Sequence, residues 1–268
     1  MLLGCSDTVY AKFHGLKISD KTQIEEIEGF ANSFAYWPSS VDDLREILEY
    51  NQGRLLPFIE MARYFFNSEK GIYEWRDITE LKQALGHEKI VITLDEPLWH
   101  VRTACNSGKT YACAEVALNY KTTQAIFTRL KYELGYQMAH IEAYQELNLQ
   151  KQAYPDRNVI VIKSADHVAF DCYGHFDNCG GRPQMEYGQW VYDTIKGTGK
   201  KMLLVPGAFD FDGVIQQLRD YFYTYKSYLD TFSGLGVFTW GDSNGIKGAR
   251  NYPDIAAEVK KLMMELRE

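Results

Sequence analysis

KIVITLDEPLWHVR, residues 89–102, reads as a short apolar strand that ends in two adjacent carboxylates, Asp95 and Glu96. Val91, Thr93 and Asp95 share one face, opposite Ile90, Ile92 and Leu94. That alternation turns Asp95 inward and leaves Glu96 at the loop edge. A proline and a tryptophan follow at once. Such a stretch either delivers an acid into a site or runs into an ordinary polar loop, where the acids cap a helix or bind Arg63 or Arg102.

Working outward, strand patterns recur at 9–18, 31–37, 54–66, 89–96, 136–144, within 158–174, at 200–210 and at 234–242. Helical patterns intervene at 20–30, 39–51, 74–87, 121–135, 185–199 and 213–232, and 252–268 closes the chain. The stretch 101–120 reads as irregular. Between the fifth and sixth strands only 145–157 is available, short and holding Pro155. Alternation of this kind implies parallel strands joined by right-handed crossovers. Eight units ending on a helix imply an α/β fold with one closed (β/α)8 TIM barrel over 9–268, after a tail at 1–8. The length of 268 residues suits it. An open doubly wound sheet would carry a glycine-rich first turn, and no G-x-G-x-x-G is present.

Composition narrows the function. Hydrophobic residues make up 46% and charged residues 24%, enough for a sizeable core. A net charge of −7 offers no basic footprint for nucleic acid. No run approaches the ~20 apolar residues of a membrane span. Aromatics reach 14%, which suits a cleft that stacks on flat ligands such as sugar rings.

Catalytic groups of such a barrel stand at the C-terminal ends of its strands. The third strand ends near Glu60 and Arg63, the fourth at Asp95 and Glu96. The fifth offers His140, Glu142 and Tyr144, and the sixth Asp171 and Tyr173. The seventh ends at Asp210, the eighth at Trp240. Alternation on the fifth strand sets Ala139, Ile141 and Ala143 against the helices and points His140, Glu142 and Tyr144 inward. On the sixth, Val168 and Phe170 meet the helices, leaving Ala169, Asp171 and Tyr173 inside. Carboxylates converging on one mouth split their proton affinities, so one stays protonated while another ionises. Glycoside hydrolysis needs that arrangement: one acid protonates the leaving oxygen, a second attacks or activates water. Trp37, Trp99 and Trp240 stand at the same rim.

On these residues the whole chain resembles a TIM-barrel glycoside hydrolase. The LDEP of 94–97 is similar to the Asn-Glu-Pro of the cellulase-like clan, whose glutamate is the general acid/base, and the resemblance implies that role for Glu96. The clan's nucleophile is a glutamate ending strand seven, where VPGAFDFD offers only Asp210. A tryptophan ending strand eight recurs in the clan, and Trp240 fits. A second glycosidase pattern places an aspartate nucleophile on strand four and a glutamate acid on strand five. Asp95 and Glu142 fit it by position, without its flanking motifs.

The expectation is therefore a glycosidase with Glu96 as proton donor and Asp210, Glu142, Asp95 or Asp171 as partner carboxylate. Trp37, Glu60, Trp99, His140, Tyr144, Tyr173 and Trp240 would contact a carbohydrate substrate. No metal and no cofactor is required. The rivals are a metal-dependent barrel using His140, Glu142 and Asp171, and a barrel without chemistry that binds a glycan or protein. MLLGCSD at the start resembles the cleavage box of a bacterial lipoprotein, with Cys5 as lipid acceptor and the rest of the signal removed. Four cysteines then remain, spaced as two local pairs, Cys105 with Cys113 and Cys172 with Cys179. Two disulfides fit an oxidising compartment, hence an exported, periplasmic or outer-membrane protein.

Overall fold

A computed structural model describes residues 12–86, 89–108, 116–173, 179–226 and 231–267. Cys5 and Cys113, and with them the lipid anchor and the first cysteine pair, lie outside the described residues.

Eight parallel strands close into a barrel: β1 (Phe13–Lys17), β2 (Ser33–Tyr36), β3 (Leu56–Glu60), β4 (Val91–Asp95), β5 (Gln137–Ala143), β6 (His167–Asp171), β7 (Lys201–Leu204) and β8 (Phe232–Val237). Each pairs with the next in chain order, and β8 returns to β1 through Phe13 beside Gly234 and Leu16 beside Val237. The fold is a single (β/α)8 TIM barrel. Around it run α1 (Gln23–Ile27), α2 (Val41–Asn51), α3 (Thr79–Leu85), α4 (Pro97–Asn106), α5 (Val116–Leu134), α6 (Tyr144–Ala153), α7 (Gln184–Ile195), α8 (Val214–Lys226) and α9 (Pro253–Glu265). None of the described helices is long and apolar enough to cross a membrane.

Local chemistry explains the better-formed elements. Ser40 caps α2, its Oγ accepting from the Asp43 amide at 3.1 Å, and Asp42 and Asp43 suit the helix's positive end. Leu44, Ile47 and Leu48 bury one face of α2. Two stretches differ from the sequence reading. Residues 97–106 are helical, started by Pro97 at the first turn, where a missing N–H is harmless. In 158–174 only His167–Asp171 pairs as a strand.

The apolar interior has two parts. Phe58, Val91, Ala139, Ile141, Ala169, Leu203 and Val205 fill the inside of the barrel. A larger set lies between strands and helices, including Leu16, Ile59, Ile92, Leu94, Val168, Phe170 and Leu204. Both faces of every barrel strand are therefore buried, as parallel sheets require. The carboxylates of the inner face lie toward the C-terminal mouth, where the apolar filling stops, while Ser33, Gln137 and His167 stand at its N-terminal end.

Candidate active site

A cavity of about 390 Å³ opens at the C-terminal mouth. Its acids are Asp95, Glu96 and Asp171, with Asp242 at the edge bonded to the Gly248 amide and Asn251; its basic wall is Lys17 and Arg63, and Trp37, Tyr173 and Phe238 supply flat rings. The acids come from the ends of β4 and β6, which β5 separates.

Glu96 owes its direction to the backbone. It sits at the N-cap of α4 with φ +46°, in the left-handed region that glycine favours. A non-glycine residue held there carries about 1 kcal/mol or more of strain and persists only when its surroundings insist. Here the Glu96 amide donates to the Ile141 carbonyl at 2.7 Å, and the Glu96 carbonyl accepts from His100 at 3.0 Å. The kink aims the side chain into the mouth instead of along the strand.

There the Glu96 carboxyl shares a hydrogen bond with Asp171. Asp171 is 7% exposed and also bonded to Tyr173. Burial first, then the charges of Glu96 and Asp95, push Asp171 well above the usual carboxylate range. Burial and Asp95 push Glu96 up to about 7, against the hydrogen bond from Asp171, which favours its ionised form. Asp171 holds its proton more tightly and donates; Glu96 is the member that titrates near neutrality. Beside them Asp95 accepts from Trp37 Nε1 at 2.9 Å and faces Arg63 at 3.9 Å. Tyr173 stacks on Phe238, centroids 4.9 Å apart.

Glu142 is elsewhere. Inward alternation fails on β5: Ala139 and Ile141 line the barrel interior, so His140 and Glu142 face the helix layer. Glu142 accepts from the amides of Leu98 at 3.1 Å and Trp99 at 3.2 Å, at the N-terminus of α4. His140 accepts from the Ile162 amide at Nδ1, 3.2 Å, so Nε2 carries the hydrogen that points to Glu142, 3.1 Å away. Burial drags His140 down to about 3, which keeps it neutral. His140 and Glu142 thus lie on the opposite side of the sheet from Asp171, and the three do not converge on one ion.

Other expected residues part company with the cavity. Asp210 is exposed and outside its lining, which takes none of its residues from the segment 205–210 after β7. Trp240 lies beyond the end of β8, is 4% exposed, packs on Phe30 and donates to Glu26. Tyr144 packs edge-on against Tyr187 in the outer layer. Trp99 is half-buried on α4 and outside the cavity lining. Glu60 is buried, raised to about 8 by burial and by Asp95, and lines a neighbouring cavity of about 240 Å³ that meets the first at Arg63.

Lys17 went unnoticed in the sequence, yet a signal existed. Leu16 and Ile18 are buried against the helices, so period-two alternation points Lys17 inward from β1. Its Nζ donates to Ser243 Oγ at 2.7 Å. Phe238, Ser243 and Asn244 belong to the stretch after β8 and carry no sequence pattern of their own.

No family model matches the chain, and neither does any curated protein. Solved structures do. A GH10 endoxylanase from a sugarcane soil metagenome superposes with a TM-score of 0.51 at 9% identity, over 97% of this chain and 98% of that one. A GH128 endo-beta-1,3-glucanase from Sorangium cellulosum gives 0.50 at 11%, over 93% and 98%. A Saccharomyces cerevisiae Gas2p mutant, in complex with laminaritetraose and laminaripentaose, gives 0.50 at 10% over 97% of this chain, which spans 65% of that one. At these identities the likeness is one of fold, and in fold this chain is a (β/α)8 barrel similar to those of glycoside hydrolases.

Proposed function

We propose that this chain hydrolyses a glycosidic bond in a poly- or oligosaccharide, with Glu96 as the proton donor. The observation that carries the reading is the Glu96–Asp171 pair: two carboxyls from separate strand ends, hydrogen-bonded on the wall of an open cavity. With Glu96 raised to about 7, a neutral acid is present at neutral pH, which donation to a leaving oxygen requires. Carboxyls that flank a glycosidic bond stand about 5–5.5 Å or 6.5–9.5 Å apart. A hydrogen-bonded pair is closer than either, so Asp171 works with Glu96 as one acid. Asp95 is then the second carboxylate. Glu96 protonates the leaving oxygen as its bond to the anomeric carbon breaks. Asp95 attacks that carbon or takes the proton of the attacking water. Trp37 and Tyr173 stack on the sugar. Arg63 and Lys17 offset the negative charge.

A second reading, a barrel that binds a glycan without cutting it, is favoured by one observation: among the described residues no carboxylate follows β7 into the cavity. Incubation with a glycan panel separates the two. New reducing ends that disappear in Glu96→Gln, with the melting temperature kept, support hydrolysis; a loss of about 10²–10⁴-fold is expected for a general acid. Binding without new ends supports the second reading. Unchanged turnover in Glu96→Gln removes Glu96 from the mechanism.

The Cys172–Cys179 disulfide supports an exported location. Lipid attachment at Cys5 belongs to the same proposal; labelling with a fatty acid that vanishes in Cys5→Ser is its test.

A further inference from the structure

In the acid chemistry the basic wall of the cavity only offsets negative charge. Lys17 is 8% exposed, at the inner end of β1. Among the described residues its Nζ has one hydrogen-bond partner, the neutral Ser243 hydroxyl, lies over the Trp37 and Phe238 rings, and has no carboxylate within ion-pair distance. Arg63 makes only the 3.9 Å contact with Asp95, and among the described residues its guanidinium donates no hydrogen bond. A buried ammonium without a counter-charge is unfavourable, and a second cation beside it makes matters worse. Burial and Arg63 together pull Lys17 down to about 8, which still leaves it mostly protonated at pH 7. The acids opposite relieve it only in part: Asp171 keeps its proton through its bond to Glu96, and the single charge of Asp95 is shared between Lys17 and Arg63.

We infer that the cavity takes an anionic sugar, a uronic acid residue whose carboxylate lies between the Lys17 ammonium and the Arg63 guanidinium. The inference rests on the cavity being the glycan site proposed above. A carboxylate fits for two reasons. Its plane matches the fork of a guanidinium, and one negative charge is what two cations already facing Asp95 leave uncompensated. The rings of Trp37 and Tyr173 on the same wall take the apolar face of the same sugar. Lys17 Nζ has two further hydrogens to donate beyond the one on Ser243.

The test uses the full chain carrying Glu96→Gln, so that binding is read without turnover. Titration calorimetry at pH 7 compares oligosaccharides of polygalacturonate, alginate and glucuronan with their carboxyl-reduced counterparts. The expected result is binding of at least one acidic series, with its reduced counterpart at least tenfold weaker. Adding Lys17→Met or Arg63→Gln should each cost the acidic ligand about 10–100-fold, the range of one charge-assisted hydrogen bond. Affinity for the reduced ligand should stay within threefold. Arg63 is exposed, so its variant reports even where Lys17→Met does not fold. Equal affinity for acidic and reduced ligands, or acidic affinity unchanged in both variants, overturns the uronate. Tight binding of sulfated but not carboxylated oligosaccharides also overturns it, leaving the glycan site standing. Binding of no glycan at all overturns both.

Discussion

Two groups of buried carboxyls lie only a strand apart and behave in opposite ways. On the helix side of β5, Glu142 is met by two backbone amides of α4 and by His140, and Glu146 by Arg102, Tyr120 and Gln150. On the cavity side, Glu96 and Asp171 meet chiefly each other. Both groups lose water. The first regains its hydrogen bonds from donors and so holds elements together. The second is left with a proton to share and an open path to a ligand. Burial alone does not mark a reactive acid; burial with few donors, facing a cavity, does.

The comparison also assigns Glu142 an indirect part. By gripping the first amides of α4 it holds the helix whose N-cap is Glu96. The strained backbone at Glu96 needs such a hold. A group on one face of the sheet thereby sets the direction of a group on the other.

The sharpest way to break the contrast is Glu142→Ala. It strands the Leu98 and Trp99 amides and the His140 Nε2–H in the interior, and stability should fall by about 3–5 kcal/mol, read from denaturant midpoints. A loss under about 1 kcal/mol would erase the difference between the two groups. Next comes Asp171→Ala, expected to lower turnover about tenfold or more with little loss of stability. A general acid must be protonated, so activity falls as pH rises through about 7, where Glu96 titrates. Asp171 donates to the ionised Glu96 and holds that value down; its removal should move the alkaline limb upward. A limb that stays put or moves down counts against the pair.

The two buried histidines, His140 on the helix side of β5 and His167 on the inner face of β6, make their own pH prediction. His140 is held at about 3 and His167 at about 4, both by burial, against 6.5 unfolded. Below pH 6.5 the unfolded chain binds protons that the native one refuses, so stability declines as pH falls from about 6.5 toward 4. The slope is at most about 1.4 kcal/mol per pH unit for each histidine. Urea midpoints across that window should flatten in His140→Gln compared with the parent; parallel curves would mean His140 titrates freely in the fold. The smallest effect belongs to Asp210→Asn. Exposed and away from the cavity, it should change turnover by less than twofold. A large loss would restore the seventh strand to the chemistry.

Much of this molecule was legible in its sequence because the signals are local. Strand and helix periods, glycine stops and the serine cap of α2 depend on neighbours a few residues away, and together they specify eight units and a barrel. The carboxylates after β4, Asp95 and Glu96, were readable for the same reason. So was the inward turn of Asp95, since Val91 and Thr93 precede it on one face. Lys17 could have been read from Leu16 and Ile18.

What the chain alone could not decide is which face of β5 looks inward. In a closed barrel both faces of a strand are buried, so an apolar set, Ala139 and Ile141, is as much at home inside as among the helices. His140 and Glu142 went outward because donors from α4 and the segment before β6 wait there. Those partners are separated from them by about forty and twenty residues. The contact of Glu96 with Asp171 spans a whole βα unit and depends on one strained backbone angle. Alternation along a strand tells which residues travel together; only closure of the sheet tells where they arrive.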